Sequence, residues 1–392
     1  MVRTLFMVFV LIGLVSCNPG SINRQGTPFD PYSQTTIEQN SEMIMVGEPT
    51  PHQQQLQSYA NGKIALLLPL TGRHADVGQS MLNAAQLALF DINDATLELM
   101  PIDTQGTSRG AAQAVEKAAN ANVRLVIGPL LADSVQAAGQ TARRYNLQVV
   151  GFTTDWNKVG NNIFTMGILP FDQGARLAQF ANKSGKNRVV IIDPKTSYSR
   201  AVIHAFEQNA QPQNLRIIDK ISLTNPNQIA TALGQRSNDF DTIIMPFGNP
   251  QASQMMRALS DNGLTPNTVT LMGAGLWDDP SIKSNPVFNG AIYTAPPPSM
   301  RDNFNRQYQS VYGVSPKRLA SLAYDATALS AVLLRQNQGH ITRTAILNGN
   351  GFAGIDGIFK FQNNGMVIRG LAIHKINSGG QAAMMDAAPS SF

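Results

Sequence analysis

Lys63-Ile-Ala-Leu-Leu-Leu-Pro69 decides the fold, together with the Leu70-Thr-Gly72 that follows and the apolar series Val77, Met81, Leu82, Ala85, Ala88, Leu89 and Ile92. The first run is unbroken in its apolarity and of strand length. Such runs suit strands buried on both faces of a parallel sheet, whereas strands with one wet face alternate. The second series recurs at three- and four-residue steps, the period of a helix with one buried face. A strand, a turn and a helix therefore open the folded region.

The same unit repeats downstream. Strand-like runs at 97–102, 125–128 and 147–152 alternate with helical patterns at 109–120 and 133–145. The second half places helices at 171–182, 198–209, 229–235 and 251–261, and strands at 188–192, 215–223, 242–245 and 269–272. Alternating strands and helices predict an α/β fold, and two such runs predict two doubly wound parallel sheets in two lobes. A ligand cleft is then expected outside the carboxyl ends of the strands. After a strand at 289–294 and the break Ala295-Pro-Pro-Pro298, two helices follow each other directly, at 301–312 and 319–334. Two β-like segments, 357–361 and 371–376, close the pattern. The first run lacks its last helices after Tyr145, and the late helices would complete it. The chain would then cross between the lobes about three times. The expected division is lobe 1 at about 62–166 and 297–336, lobe 2 at about 167–296 and 337–376, and a tail at 377–392.

Composition supports this size of core. The chain has 392 residues, of which 43% are apolar and only 14% charged, against a usual charged share of ~25%. That balance argues against a disordered chain, which needs low hydrophobicity and high charge. The net charge of +5 comes from 30 Lys and Arg against 25 Asp and Glu. These charges are scattered, with no basic run and no interleaving of basic and aromatic residues. A nucleic-acid footprint needs clustered positive charge, so that partner is not expected.

The first sixteen residues read as an export signal. Arg3 supplies the positive start, and Leu5 to Val15 form an apolar run too short for the ~20 residues of a spanning helix. The single cysteine stands directly behind it, in Leu14-Val-Ser-Cys17. This resembles the bacterial lipobox, which implies cleavage before Cys17 and lipidation of its thiol. The plainer alternative is a buried Cys acting as a small hydrophobe. Without a second cysteine there is no disulfide framework. Asn18 next to the cysteine resembles a sorting signal for the outer membrane. Residues 17–61, rich in Gln, Asn, Ser, Thr, Pro and Gly, read as a lipidated flexible tether with a coil-like reach of ~35–40 Å.

Several segments then carry a family resemblance. Pro69-Leu-Thr-Gly72 with Gly78, Ala84-Ala85 and Asp91-Ile-Asn93, the Ile127-Gly-Pro129 turn, and Ile192-Asp193 with Tyr198-Ser-Arg-Ala201 resemble the type I periplasmic binding fold of the branched-chain amino-acid receptors. A closer resemblance is to the penicillin-binding-protein activator family, the lipoproteins that stimulate peptidoglycan synthases. Met81–Asp91, Gly273–Pro280, Arg318–Ala326 and Asn350–Phe359 carry it. Residues 18–61 are too few for the helical-repeat domain that longer members of that family have.

The receptor resemblance also implies a clamp for an amino acid, and this sequence departs from it. The family's carboxylate-binding Ser falls at Ala132, its ammonium-binding acid at Gly275 and a threonine of the next loop at Asp155. A one-residue shift would bring in Asp133 or Ser134. The remaining candidates for ligand contact lie just past expected strand ends: Thr71, Asp133, Ser134, Thr153, Thr154, Asp155, Tyr198, Trp277 and Asp278. Asp133 and Ser134 read equally well as helix caps, and Trp277 as a side chain packed in its own lobe.

Catalytic and cofactor motifs are not found. Gly349-Asn-Gly-Phe-Ala-Gly354 has dinucleotide spacing, but that motif must follow a strand and open a helix, and here the order is reversed. The five histidines are dispersed without metal-ligand spacing. Asp103 and Asp193 at strand ends read as turn residues. The expectation is a lipid-anchored periplasmic binding protein with no catalytic residues, no metal and no cofactor. Its role would be activator-like docking onto a penicillin-binding peptidoglycan synthase. The alternative is the substrate-binding lipoprotein of an ABC importer for amino acids or another small polar solute.

Overall fold

The structure, a computed structural model, describes residues 62–94 and 97–392. The export signal, Cys17 and the proposed tether lie outside the described residues. No helix among the described residues is long and apolar enough to cross a membrane.

The opening run is a central strand. β1 (Gly62–Leu68) lies between β2 (Leu97–Asp103) and β3 (Leu125–Ile127), and β4 (Val149–Gly151) and β5 (Ile163–Thr165) extend the sheet in the order β2-β1-β3-β4-β5. All four pairings are parallel. Side chains alternate between the faces. Ile64, Leu66 and Leu68 pack with Met81 and Ala85 of α1 (Ala75–Ile92), while Ala65 and Leu67 pack with Ala111 and Val115 of α2 (Ser108–Asn120) and Ala138 of α3 (Ala132–Arg143). Helices thus cover both faces, which is why β1 carries no polar residue between Ile64 and Leu68. Gly78 makes the close fit of α1 possible, since a Cβ there would stand 2.1 Å from the Pro69 carbonyl oxygen.

The second sheet repeats the plan. After α4 (Pro170–Lys183) come β6 (Arg188–Asp193), α5 (Ser197–Ala210), β7 (Arg216–Ser222), α6 (Pro226–Gln235), β8 (Thr242–Met245), α7 (Gln251–Asp261) and β9 (Thr270–Gly273). A short α8 (Pro280–Lys283) and β10 (Ile292–Ala295) complete this stretch. Val190, Ile192, Ile243 and Met245 face α6 and α7, whereas Val189, Ile191 and Ile244 face α4 and α5. From β10 the chain returns to the first lobe, where α10 (Ala320–Gln336) packs beside α1 on the first sheet and α9 (Pro298–Tyr312) packs outside against both helices.

The end of the chain departs from the expected division. After α11 (Arg343–Ile346), β11 (Phe352–Gly354), β12 (Gly357–Phe361) and β13 (Val367–Arg369) form an antiparallel sheet of their own. Phe352, Phe359, Phe361 and Val367 are buried in the core of the first lobe, not the second. The cause is aromatic packing: Phe361 meets Phe164 of β5 edge-on at 5.4 Å. The expected lobe 2 segment 337–376 is corrected accordingly, since within it only β14 (Ala372–Ile376) joins the second sheet. The expected tail also contains a strand, β15 (Ala382–Asp386), at the edge of that sheet beside β14. Asp386 pins it to α4 through Arg176 at 2.8 Å and Lys183 at 2.5 Å. The chain passes between the two large sheets three times, at 166–169, 296–297 and 370–371, as the sequence led us to expect.

Candidate functional site

Loops at the carboxyl ends of the parallel strands face each other across the lobes. They enclose a cleft of about 570 Å³, within the usual ~300–1,000 Å³ of a small-molecule site. The first lobe contributes Thr154, Asp155, Trp156 and Asn157 after β4, and Arg318, Leu319 and Leu322 at the start of α10. The second contributes Gln173 of α4, Ser197 and Tyr198 of α5, and Gly275 and Leu276 after β9.

Three of the expected ligand residues line this cleft: Thr154, Asp155 and Tyr198. Thr154 is exposed there. Asp155 is half-buried and accepts hydrogen bonds from the Asn157 backbone N–H at 3.0 Å and its side-chain amide at 3.2 Å. The Tyr198 phenol donates to Gln173 Oε1. Its burial pushes the phenol pKa well up, so it stays protonated as a donor. Gln173 holds the centre of the second-lobe wall. Its Oε1 also accepts the Gly275 N–H at 2.7 Å, and its Nε2 donates to the Leu169 carbonyl at 3.1 Å.

The other candidates are placed elsewhere. Thr153 is buried behind the cleft, and its hydroxyl accepts the Asp155 N–H at 3.0 Å. Thr71 belongs to a turn in which its Oγ1 donates to Asp103 Oδ2 at 2.6 Å. Asp103 Oδ1 also accepts the Leu70 and Gln105 N–H groups, so this carboxylate is a turn residue, as Asp193 is through the Lys195 N–H and the Ser199 hydroxyl. The Asp133 side chain is 83% exposed and lies 3.6 Å from Lys158. Ser134 is buried in α3, whose first residues follow Leu131 with no side-chain cap. Neither residue lines the cleft or caps the helix.

Trp277 and Asp278 require a correction. Trp277 is fully buried in the second lobe, with its Nε1 donating to the Phe247 carbonyl at 2.8 Å and its ring edge-on to Phe288 at 5.0 Å. An indole with both its surface and its one donor satisfied has nothing left to offer a ligand. Asp278 faces a separate cavity of about 420 Å³ near the hinge, between Tyr293, Lys283 and Arg301. Burial alone would raise its carboxyl, but the Arg301 and Lys283 charges beside it hold it below the usual carboxylate range. Arg301, on α9 of the first lobe, also grips Asp356. It therefore ties the lobes together through Asp278 at 3.0 Å.

Sequence reading missed the cleft residues Gln173, Arg318, Leu319, Leu322 and Leu276. Four of these lie within or at the starts of helices rather than just past a strand. Trp156 was within reach, being one of two tryptophans and adjacent to Asp155. Its ring meets Phe171 of the opposite lobe at 5.0 Å, edge-on. No group of His, Cys, Asp and Glu among the described residues could hold a metal ion. The glycine-rich 349–354 segment runs from α11 into β11, the wrong order for a dinucleotide.

The sequence pattern of the periplasmic binding proteins matches residues 62–381. The Leu/Ile/Val-binding protein BraC3 of Rhizobium johnstonii is 27% identical over 236 residues, covering 56% of this chain and 63% of that protein. The penicillin-binding protein activator LpoA of Photobacterium profundum is 26% identical over 169 residues, covering 42% of this chain and 27% of that protein. The aligned stretch is thus less than two thirds of either relative. Among solved structures, a protein described as a branched-chain amino acid ABC transporter from Rhodospirillum rubrum superposes with a TM-score of 0.74 at 18% identity, covering 83% of this chain and all of that one. Two α/β sheets, parallel except for the antiparallel β14 and β15 at the edge of the second, three crossings, an interlobe cleft and a match over most of the folded region lead to one conclusion: the chain belongs to the periplasmic binding protein family and has its type I, leucine-binding-protein-like fold.

Proposed function

We propose that the protein is a non-catalytic binding protein that holds a small solute between its lobes. The observation that carries this reading is the cleft, walled by both lobes, whose surface is mostly apolar but is interspersed with polar and charged side chains from both lobes, Asp155 and Arg318 among them. A ligand touching both walls stabilises the closed arrangement of the lobes, because it binds that arrangement better than an open one. Among the described residues, the wall holds neither His nor Cys, and the buried Tyr198 phenol stays protonated near neutral pH and so cannot act as a general base. A periplasmic location follows from the family. Lipidation at Cys17 would fix the protein to a membrane, the outer one by the Asn18 signal, with residues 17–61 as the tether. In this reading the partner is an ABC importer. A thermal-shift panel of polar solutes tests it: at least one should raise the melting temperature in a saturable way, and a panel without any effect would count against it.

A second reading is regulation of a penicillin-binding peptidoglycan synthase. It is favoured by the likeness to LpoA and by the activator-like segments quoted above. Trp277 gives it no support, because a buried indole cannot anchor a partner. Synthase rate with and without the protein separates the two readings. Stimulation that needs no cleft ligand favours the regulator.

A further inference from the structure

The glycine-rich segment at 349–354, whose order excludes a dinucleotide, opens on chemistry of its own. In an Asn-Gly pair the side-chain amide is open to attack by the next backbone nitrogen, because glycine has no side chain to crowd the approach. The sequence holds six such pairs, beginning at Asn61, Asn262, Asn289, Asn348, Asn350 and Asn364. All but Asn61 lie among the described residues.

Attack needs a glycine nitrogen free to lose its proton, so a hydrogen bond donated by that N–H protects the pair. Four of the five described pairs are protected in this way. The Gly263 N–H donates to the Ser260 carbonyl at 3.0 Å, Gly290 to Ile376 at 2.7 Å, Gly351 to Asn348 at 3.1 Å and Gly365 to Gln362 at 2.9 Å. Asn262 is held a second time, since its Nδ2 donates to the Ala258 carbonyl at 2.9 Å. The Gly349 N–H donates to no other described residue, and this glycine is exposed. The amide it faces is also prepared. Asn348 Oδ1 accepts the Asn350 N–H at 3.1 Å. That bond closes a ring through Gly349 and puts a donor on the oxygen that turns negative when the amide carbon is attacked.

We propose that Asn348 is a modification site, converting spontaneously to aspartate and isoaspartate in the folded protein. The Gly349 nitrogen gives its proton to solvent base and bonds to Asn348 Cγ. The Cγ–Nδ2 bond breaks and ammonia leaves, which produces a cyclic imide. Water then adds to one imide carbonyl, and the C–N bond at that carbonyl breaks. Opening at Cγ gives aspartate. Opening at the main-chain carbonyl gives isoaspartate, in which the main chain runs through the side-chain carbon. Either product adds a negative charge to the loop between α11 and β11. Residues 348–351 do not line the cleft, so the proposal is independent of what the cleft holds.

The test incubates the purified full chain at neutral and at mildly alkaline pH, then maps tryptic peptides by fragmentation mass spectrometry. Asn348 should convert at least about fivefold faster than Asn262, Asn289, Asn350 and Asn364, the factor that one net hydrogen bond on the glycine N–H supplies. Conversion should quicken at the higher pH, because the attacking nitrogen must be deprotonated. In concentrated urea the five rates should converge. Gly349→Ala should slow Asn348 and leave the fold intact, since a Cβ there meets no atom within 4 Å. Three results would overturn the assignment: any of the other four converting as fast in the folded protein, Asn348 intact when folded yet reactive in urea, or an Asn348 advantage that persists in urea.

Discussion

Replacing Trp277 by Ala removes a side chain with no solvent exposure. Loss of a buried Trp costs ~3–5 kcal/mol through lost transfer energy and the cavity left behind. The Phe247 carbonyl, which accepts the indole N–H at 2.8 Å, would lose its partner as well, and an unpaired buried acceptor costs ~1–3 kcal/mol, part of it already inside the first figure. Collapse of the cavity is limited because Gly273 of β9 already lies against the ring, where a Cβ would stand 1.9 Å from it. For a unit of ~150–250 residues, where 1 kcal/mol moves the melting temperature by ~2–4 °C, the expected drop is roughly 6–20 °C. Trp277→Phe keeps most of the ring area and loses the hydrogen bond, so it should lie between. Thermal denaturation followed by circular dichroism gives the midpoints, and solute binding is measured on the folded protein. An unchanged midpoint in Trp277→Ala, together with lost binding or lost synthase stimulation, would refute the core assignment.

Burial raises the Asp172 carboxyl to about 7, against the opposing pull of Arg369. Its folded pKa thus exceeds the unfolded value, so its contribution is complete below about pH 4 and is lost as pH rises through about 7, by as much as ~4 kcal/mol. Asp172→Asn should therefore match wild type in stability near pH 4 and gain on it steadily toward pH 7; parallel pH–stability curves would contradict this. Gly275→Ala should displace Gln173, whose Oε1 lies 2.9 Å from the new Cβ, and weaken solute binding by about tenfold or more; calorimetry showing wild-type affinity would count against the proposed wall. Cys17→Ser should abolish incorporation of labelled fatty acid, and equal labelling of both proteins would end the lipid-anchor proposal.

The strands and helices of both lobes were legible because parallel sheets covered on both sides leave strong patterns. β1, β6 and β8 are unbroken apolar runs, and α2 and α7 have a single apolar face. β5 and β13, of three residues each, are too short to leave a period. β11 to β13 were assigned to the wrong lobe because their aromatic residues carry no address: only packing against Phe164 shows where Phe361 belongs. The cleft was legible where it uses strand ends, as at Thr154, Asp155 and, by a short loop, Tyr198. It was not where helices bring residues in. Arg318 reaches the cleft from a connection between two helices, and Gln173 from inside α4, so neither stands next to a strand in the sequence. Trp277 follows a strand as a ligand residue might, yet the short turn after β9 folds it back into the lobe.

The two tryptophans offer the most direct measurement. Trp156 lines the cleft and Trp277 is sealed in the core, so only the first can report an occupant. Fluorescence of Trp277→Phe, in which Trp156 is the remaining indole, is titrated with the solute panel. Saturable quenching or a spectral shift with at least one solute is the predicted result. A flat response to every solute, in a protein that still stimulates a penicillin-binding synthase, would contradict the solute-cleft account and leave the regulator as the better one.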